Sequence, residues 1–267
     1  MIHHTIIINN QPAATGAFTP PEGCGILYEV IRVTDGVFLF LNEHISRLNN
    51  SAQLAGVDLI LSVAGMRKQL EQLLRLNGVQ TGNIKLEYYF RAEKVQYRAA
   101  YFIGHHYPSE NDYREGVRTG LFVAERTNPN AKIMQHGLRE QVEQIIAEKN
   151  LYEVILVHPD GYITEGSRST VFMIKDGTAY TAPEADVLPG ITRKYVLLAC
   201  QDLSVPLVET RIAASCLSGM DAVFIAGTSP KVLPVAMVDK HRFNPENETV
   251  RKIMKKYDEL AGFYRFD

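Results

Sequence analysis

Residues 160–193, DGYITEGSRSTVFMIKDGTAYTAPEADVLPGITR, leave this part of the chain few ways to fold. An extended run, Gly161-Tyr162-Ile163-Thr164, delivers one acid, Glu165, into a small-residue turn at Gly166-Ser167. About 25 residues later, Leu188-Pro189-Gly190-Ile191-Thr192-Arg193 has the form of a helix start. A helix start with a hydroxyl in its first turn attracts anions, because its first N–H groups have no helical partner and the helix dipole favours negative charge. Taken alone, Glu165 reads rather as a plain surface hairpin carboxylate, and it is its company that points elsewhere. An acid and an anion cradle in one unit point to a phosphorylated cofactor with a basic nitrogen.

The rest of the chain alternates strand and helix patterns irregularly. Ile6-Ile7-Ile8 and Ile26 to Val33 read as strands, and Asp35-Gly36 turns the second into Val37 to Leu41. Asn42 is placed to cap a helix with Ile45, Leu48, Ala52 and Ala55 on one face, and Ser62 to cap another that Asn77-Gly78 stops. Ile84 to Ala92 and Gln96 to Ile103 read as paired strands. Strand patterns at 117–125, 153–157, 169–174, 205–209 and 222–226 follow, with helices at 135–149, at 191–201 and from Glu246. The mixture lacks a regular βαβ alternation, so the expected class is α+β. A polar stretch with Pro108 and Asn111-Asp112 marks the boundary: a smaller domain over 1–105, a linker at 106–116 and a larger domain over 117–267.

A formal net charge of -2 argues against a nucleic-acid protein, which usually carries a basic excess on one face. Three widely spaced cysteines without a Cys-x-x-Cys indicate neither a disulfide framework nor zinc, and read as reduced and cytoplasmic. No apolar run approaches the ~18 residues of a spanning helix, so no membrane association is expected. His3-His4 and His105-His106 put neighbours on opposite faces of a strand, which is poor chelate geometry, so no metal is expected.

Three further places can carry chemistry. Gly227-Thr228-Ser229 ends an apolar strand before Pro230, which makes it either an amide nest for an anion or an ordinary turn. Arg47 has the fork geometry that suits phosphate, although a lone Arg on an amphipathic helix is more often solvated. Lys132, between Ala131 and Ile133, reads in isolation as an exposed loop lysine, with a partly desolvated amine prepared for Schiff-base chemistry as the alternative.

Tyr28-Glu29-Val30, Asn42 to Leu48, Lys132, Thr164-Glu165-Gly166-Ser167-Arg168-Ser169, Leu188 to Arg193 and Gly227-Thr228 together resemble the class IV (fold type IV) pyridoxal-phosphate aminotransferases. That family includes branched-chain and D-amino-acid aminotransferases and aminodeoxychorismate lyase. The resemblance spans most of the chain and implies two α+β domains with pyridoxal 5'-phosphate in the interdomain cleft of a homodimer. It implies that Lys132 bonds the cofactor and shuttles the proton, and that Glu165 partners the pyridine nitrogen. By the same carry-over Arg47, the Ile191 amide, Thr192 and Thr228 bind the phosphate, and Tyr28 lies near the substrate. Tyr88, Tyr89, Arg91 and Arg98 are further candidates for the substrate pocket. The expected reaction is amino transfer between an amino acid and a 2-oxo acid. Elimination of pyruvate to leave 4-aminobenzoate is the alternative, and a non-catalytic cofactor-binding relic the third reading.

Overall fold

A computed structural model describes residues 1–263. The last four residues of the larger expected domain lie outside the described residues. The chain divides into two compact units, one of residues 1–106 with Ala131–Met134, the other of Tyr107–Asn130 with 135–263. The sequence alone put Lys132 in the larger domain; its segment groups instead with the first unit.

The first unit is built from β1 (Thr5–Ile8), β2 (Gln11–Ala14), β3 (Gly25–Thr34), β4 (Val37–Phe38), α1 (Leu41–Leu54), α2 (Val63–Asn77), β5 (Gly82–Arg91) and β6 (Lys94–Ile103). Its six-stranded sheet runs β2-β1-β6-β5-β3-β4, every pair antiparallel. One face of this sheet, carrying Leu27, Ile31, Ile84, Leu86 and Phe102, packs with Ile45, Leu48, Leu70 and Leu73 of the two helices into a core. These helix positions recur at the three-to-four spacing that makes one buried stripe, and each fully buried Leu or Ile contributes about 1.5–3 kcal/mol. The opposite face holds a smaller cluster of Ile6, Ile26, Tyr89, Tyr97, Ala99 and Tyr101.

Two local expectations need correction here. The strand after Gly36 stops at Phe38, and α1 begins at Leu41 behind Phe40, which sits at φ 56° without any side-chain cap, so Asn42 caps nothing. The turn is fixed by burial of Phe38, Phe40 and Leu41 rather than by capping chemistry. Ser62, by contrast, does cap α2, its hydroxyl accepting from the Gly65 amide at 3.2 Å, and Gly78 closes the helix at φ 63°.

The second unit comprises α3 (Glu110–Glu115), β7 (Val117–Val123), α4 (His136–Lys149), β8 (Glu153–Val157), β9 (Tyr162–Gly166), β10 (Thr170–Lys175), β11 (Thr178–Thr181), α5 (Ile191–Asp202), β12 (Leu207–Glu209), β13 (Ile212–Ala213), β14 (Ala222–Gly227), β15 (Lys231–Val238), β16 (His241–Arg242) and α6 (Glu248–Phe263). Among the described residues its sheet follows β12-β11-β10-β14-β15-β7-β8-β9-β13, with β16 on β15. The β7-α4-β8 crossover makes that pair parallel, while β8, β9 and β10 double back through tight turns. The polar stretch read as a linker contains α3, closed by a reciprocal Ser109–Asp112 capping box. β15 escaped the sequence reading because Pro234 breaks its pattern; pairing with β7 starts at Val235, so the missing N–H is not needed on that side. Among the described residues no helix is long and apolar enough to cross a membrane.

Candidate active site

In the first unit, Lys132 lies on a short strap laid along β3. Lys132 O accepts from the Tyr28 amide at 3.2 Å, Met134 N donates to Ile26 O at 2.9 Å, and Ile133 bridges Leu27. From α1, Ser51 Oγ accepts from Lys132 N at 3.1 Å. Ile133 packs into the helix-side core and Met134 into the opposite cluster, so by strand alternation Lys132 shares the Met134 face. There its Nζ stands 4.7 Å from the centre of the Tyr28 ring. Three backbone hydrogen bonds and an aromatic face hold a half-buried amine in one place.

The same sheet face carries Lys85 and Glu87. Glu87 is buried and accepts from the hydroxyls of Tyr89 and Tyr101, each at 2.8 Å, and from Lys85 Nζ. Lys85 also lies 5.7 Å from the Tyr28 ring centre, so two lysine amines approach this ring. Tyr88 and Arg98 do not join this group. Tyr88 alternates onto the helix-side face, where it is buried in the core with Arg98 stacked 6.0 Å from its ring. Arg91 is exposed at the end of β5, donating to Glu22 O at 2.8 Å. Of the pocket-wall candidates Tyr28, Tyr88, Tyr89, Arg91 and Arg98, Tyr28 and Tyr89 share one face of the sheet and Tyr88 stands on the other.

Arg47 does not project into solvent. Its Nε and Nη2 each reach Glu29 at 2.7 Å, and His44 Nδ1 meets the same carboxylate at 2.8 Å. Glu29 is fully buried, which opposes its charge, yet Arg47 and His44 hold its carboxyl well below the usual carboxylate range. Burial pushes His44 the other way, below its ordinary 6.5, so the neutral ring donates Nδ1–H to Glu29. Glu29 and His44 were missed as site residues because a Glu in a strand and a His in a helix announce nothing until register brings them together.

In the second unit, Glu165 is the penultimate residue of β9 and is buried. Its oxygens accept from the Leu188 amide at 3.2 Å and from Arg126 Nη1 at 2.7 Å. The turn after it wraps around another buried acid, Glu153, which accepts from Ser167 Oγ at 3.1 Å, Ser169 Oγ at 2.9 Å and the Arg168 amide. Gly166 is required there, since a Cβ would run into Ser169 Oγ and come 2.8 Å from Glu153 Oε1.

α5 starts at Ile191 with Gly190 as its N-cap and no side-chain cap. Its first amides therefore look outward from a helix that begins against the start of β10, where a Cβ on Gly190 would come 3.0 Å from Thr170 Oγ1. Thr170 pairs with Ala226, so the end of β14 at Gly227, with Thr228 just beyond it, belongs to the same corner. Thr192 is buried in this corner and Thr228 half-buried. Uncapped helix amides, two threonine hydroxyls and a cradle kept open by glycine are a donor set that fits a phosphate, and Glu165 is an acceptor that fits a protonated ring nitrogen.

A family profile described as Amino-transferase class IV matches residues 26–238. The chain belongs to the class IV aminotransferases. Among relatives of this enzyme, the D-alanine aminotransferase of Bacillus licheniformis is 32% identical over 224 residues, covering 80% of this chain and 78% of that protein. Solved folds are also similar. The T.th. branched-chain amino acid aminotransferase with pyridoxamine 5'-phosphate has a TM-score of 0.82 at 22% identity, over 97% of this chain and 94% of that one. A putative 4-amino-4-deoxychorismate lyase from Legionella pneumophila has a TM-score of 0.79 at 20% identity, over 91% and 96%. The α+β class and the fold type IV architecture follow, and the cofactor of the class IV aminotransferases is pyridoxal 5'-phosphate.

Proposed function

We propose that this enzyme transfers an amino group between an amino acid and a 2-oxo acid, with Lys132 as its reacting amine. The observation that supports this most directly is the strap: Lys132 is fixed through its own N–H and C=O and rests on the Tyr28 ring. When bound, pyridoxal 5'-phosphate supplies an aldehyde that takes amines covalently and a ring that accepts an electron pair. Lys132 bonds the cofactor between turnovers and moves the proton from the substrate α-carbon. Glu165 holds a proton at the ring nitrogen, with Arg126 and the Leu188 amide keeping its carboxylate in place. Thr192, Thr228, the Ile191 amide and Arg47 bind the phosphate, and Tyr28 orients the Lys132 amine. The assembly is a homodimer.

The similarity to D-alanine aminotransferases makes D-alanine the first donor to test. Protein supplied with cofactor is reduced with borohydride and its peptides are weighed; one phosphopyridoxyl group on the Lys132 peptide is expected, and none with Lys132→Ala. Label on another lysine overturns the assignment. D- and L-amino acids are then offered with a 2-oxo acid. Formation of the corresponding new amino acid supports transamination, whereas release of pyruvate and 4-aminobenzoate from aminodeoxychorismate without amino transfer replaces it with the lyase.

A further inference from the structure

We propose that Glu29 is a positioning residue for Arg47, fixing the guanidinium from its buried side and thereby setting how tightly the enzyme grips its cofactor's phosphate. The inference rests on the phosphate role of Arg47 given above. Glu29 takes Arg47 fork to fork, Nε to Oε1 and Nη2 to Oε2, both at 2.7 Å. A planar guanidinium tied along that edge cannot turn about its Cδ–Nε bond without breaking both contacts. Its plane, and therefore the direction of its opposite edge, is set by the carboxylate.

The carboxylate is itself immobile. Glu29 sits mid-strand in β3, alternating with Leu27 and Ile31 onto the helix-side face, and is 0% exposed. His44 and Arg47 are one turn apart on α1, so one helix face presents both to Glu29, and His44 Nδ1 at 2.8 Å closes the remaining approach. The cluster is buried beside Leu27, Ile31, Ile45 and Leu48. Well-packed apolar side chains stabilise such a place as well as or better than ions, so stability alone does not account for an ionic group there. What the ionic group provides that an apolar one does not is a guanidinium held in one orientation.

The test compares two ligands on the full-length protein: pyridoxal 5'-phosphate, and pyridoxal, which lacks the phosphate. Dissociation constants are measured by equilibrium dialysis for the unmodified protein, Glu29→Gln, Glu29→Asp, Arg47→Ala and the Glu29→Gln/Arg47→Ala pair. Glu29→Gln is expected to weaken the phosphorylated ligand about tenfold or more while pyridoxal changes less than about twofold, since a charge-assisted fork is lost only where phosphate is read. Combined with Arg47→Ala, it should lower the phosphate preference no further. Equal weakening of both ligands makes Glu29 merely structural and overturns the proposal. A preference lowered by Arg47→Ala but not by Glu29→Gln overturns it too, while leaving Arg47 as a phosphate ligand. An unchanged preference in Arg47→Ala removes the phosphate role itself. If Glu29→Gln does not fold, Glu29→Asp decides: its carboxylate is drawn back by one methylene, so a lowered preference supports the proposal and an unchanged one overturns it.

Discussion

Glu29 in the first unit and Glu153 in the second are both buried carboxylates with three donors, and their environments drive them in opposite directions. For each, burial is the largest effect and opposes ionisation. Glu29 meets a guanidinium fork and a histidine, which overcome that penalty and hold its carboxyl far down. Glu153 meets two serine hydroxyls and a backbone amide, with Arg168 acting only at a distance, and burial keeps its carboxyl above the usual range. Three hydrogen bonds are therefore not equivalent: a formal charge among the donors decides which protonation state a buried acid keeps. The first acid serves as a charged clamp, and the second as a plug around which the 166–169 turn is wound.

Truncation gives the largest contrast. Glu29→Ala leaves Arg47 without its buried partner and should lose about 3–5 kcal/mol in urea unfolding, against about 1–3 kcal/mol for Glu153→Ala, where only neutral donors are stranded. Equal losses break the comparison. Gly166→Ala attacks the plug from its other side and should lose about 1–3 kcal/mol, because the Ser169 hydroxyl and Glu153 carboxylate must both give way. An unchanged midpoint shows that the turn is looser than the Glu153 contacts imply.

Titration of stability should separate the two acids by sign. His44 is held below its ordinary value of 6.5, so below that pH the unfolded chain binds a proton that the native one refuses, and stability falls on acidification. Glu29 adds a further loss below 4.5, its ordinary value, as pH moves towards its depressed native one. Glu153 does the reverse: its contribution is complete below 4.5 and declines as pH rises towards its raised native value. Each group can contribute a slope of up to about 1.4 kcal/mol per pH unit. In thermal unfolding, His44→Gln should flatten the acid loss that begins near 6.5, and a profile unaffected by that change refutes the buried neutral ring.

The smallest expected effect is Glu153→Gln, below about 1 kcal/mol at neutral pH, since an amide oxygen serves the Arg168 amide and its nitrogen can donate to Ser169. Glu29→Gln has no such escape, because one amide end must face the Arg47 donors. A larger loss for Glu153→Gln than for Glu29→Gln reverses the comparison.

Much of the fold was legible because its signals are local. The strand pair 82–91 and 94–103, the Ser62 cap and the α5 start each lie within a few residues of what causes them. Tertiary packing overrode local chemistry at the uncapped start of α1 behind Phe40 and at the proline-bearing strand β15, whereas the short helix within the polar 106–116 stretch carries a local signal, its Ser109–Asp112 capping box, that went unread.

The candidate site divides in the same way. The sequence raised Lys132, Glu165, Thr192 and Thr228 as candidates, each with an ordinary structural reading beside it, and only the resemblance of the motifs around them gave them roles. Only the tertiary structure separated Tyr88 and Arg98 from Tyr28, since the face a strand residue takes depends on what its sheet packs against. Only it joined Arg47 to Glu29, Glu165 to Arg126 and Lys132 to Ser51, which lie 18, 39 and 81 residues apart in sequence. The state of a buried charge depends on which groups surround it, and that is determined by register and packing across the chain rather than by its sequence neighbours.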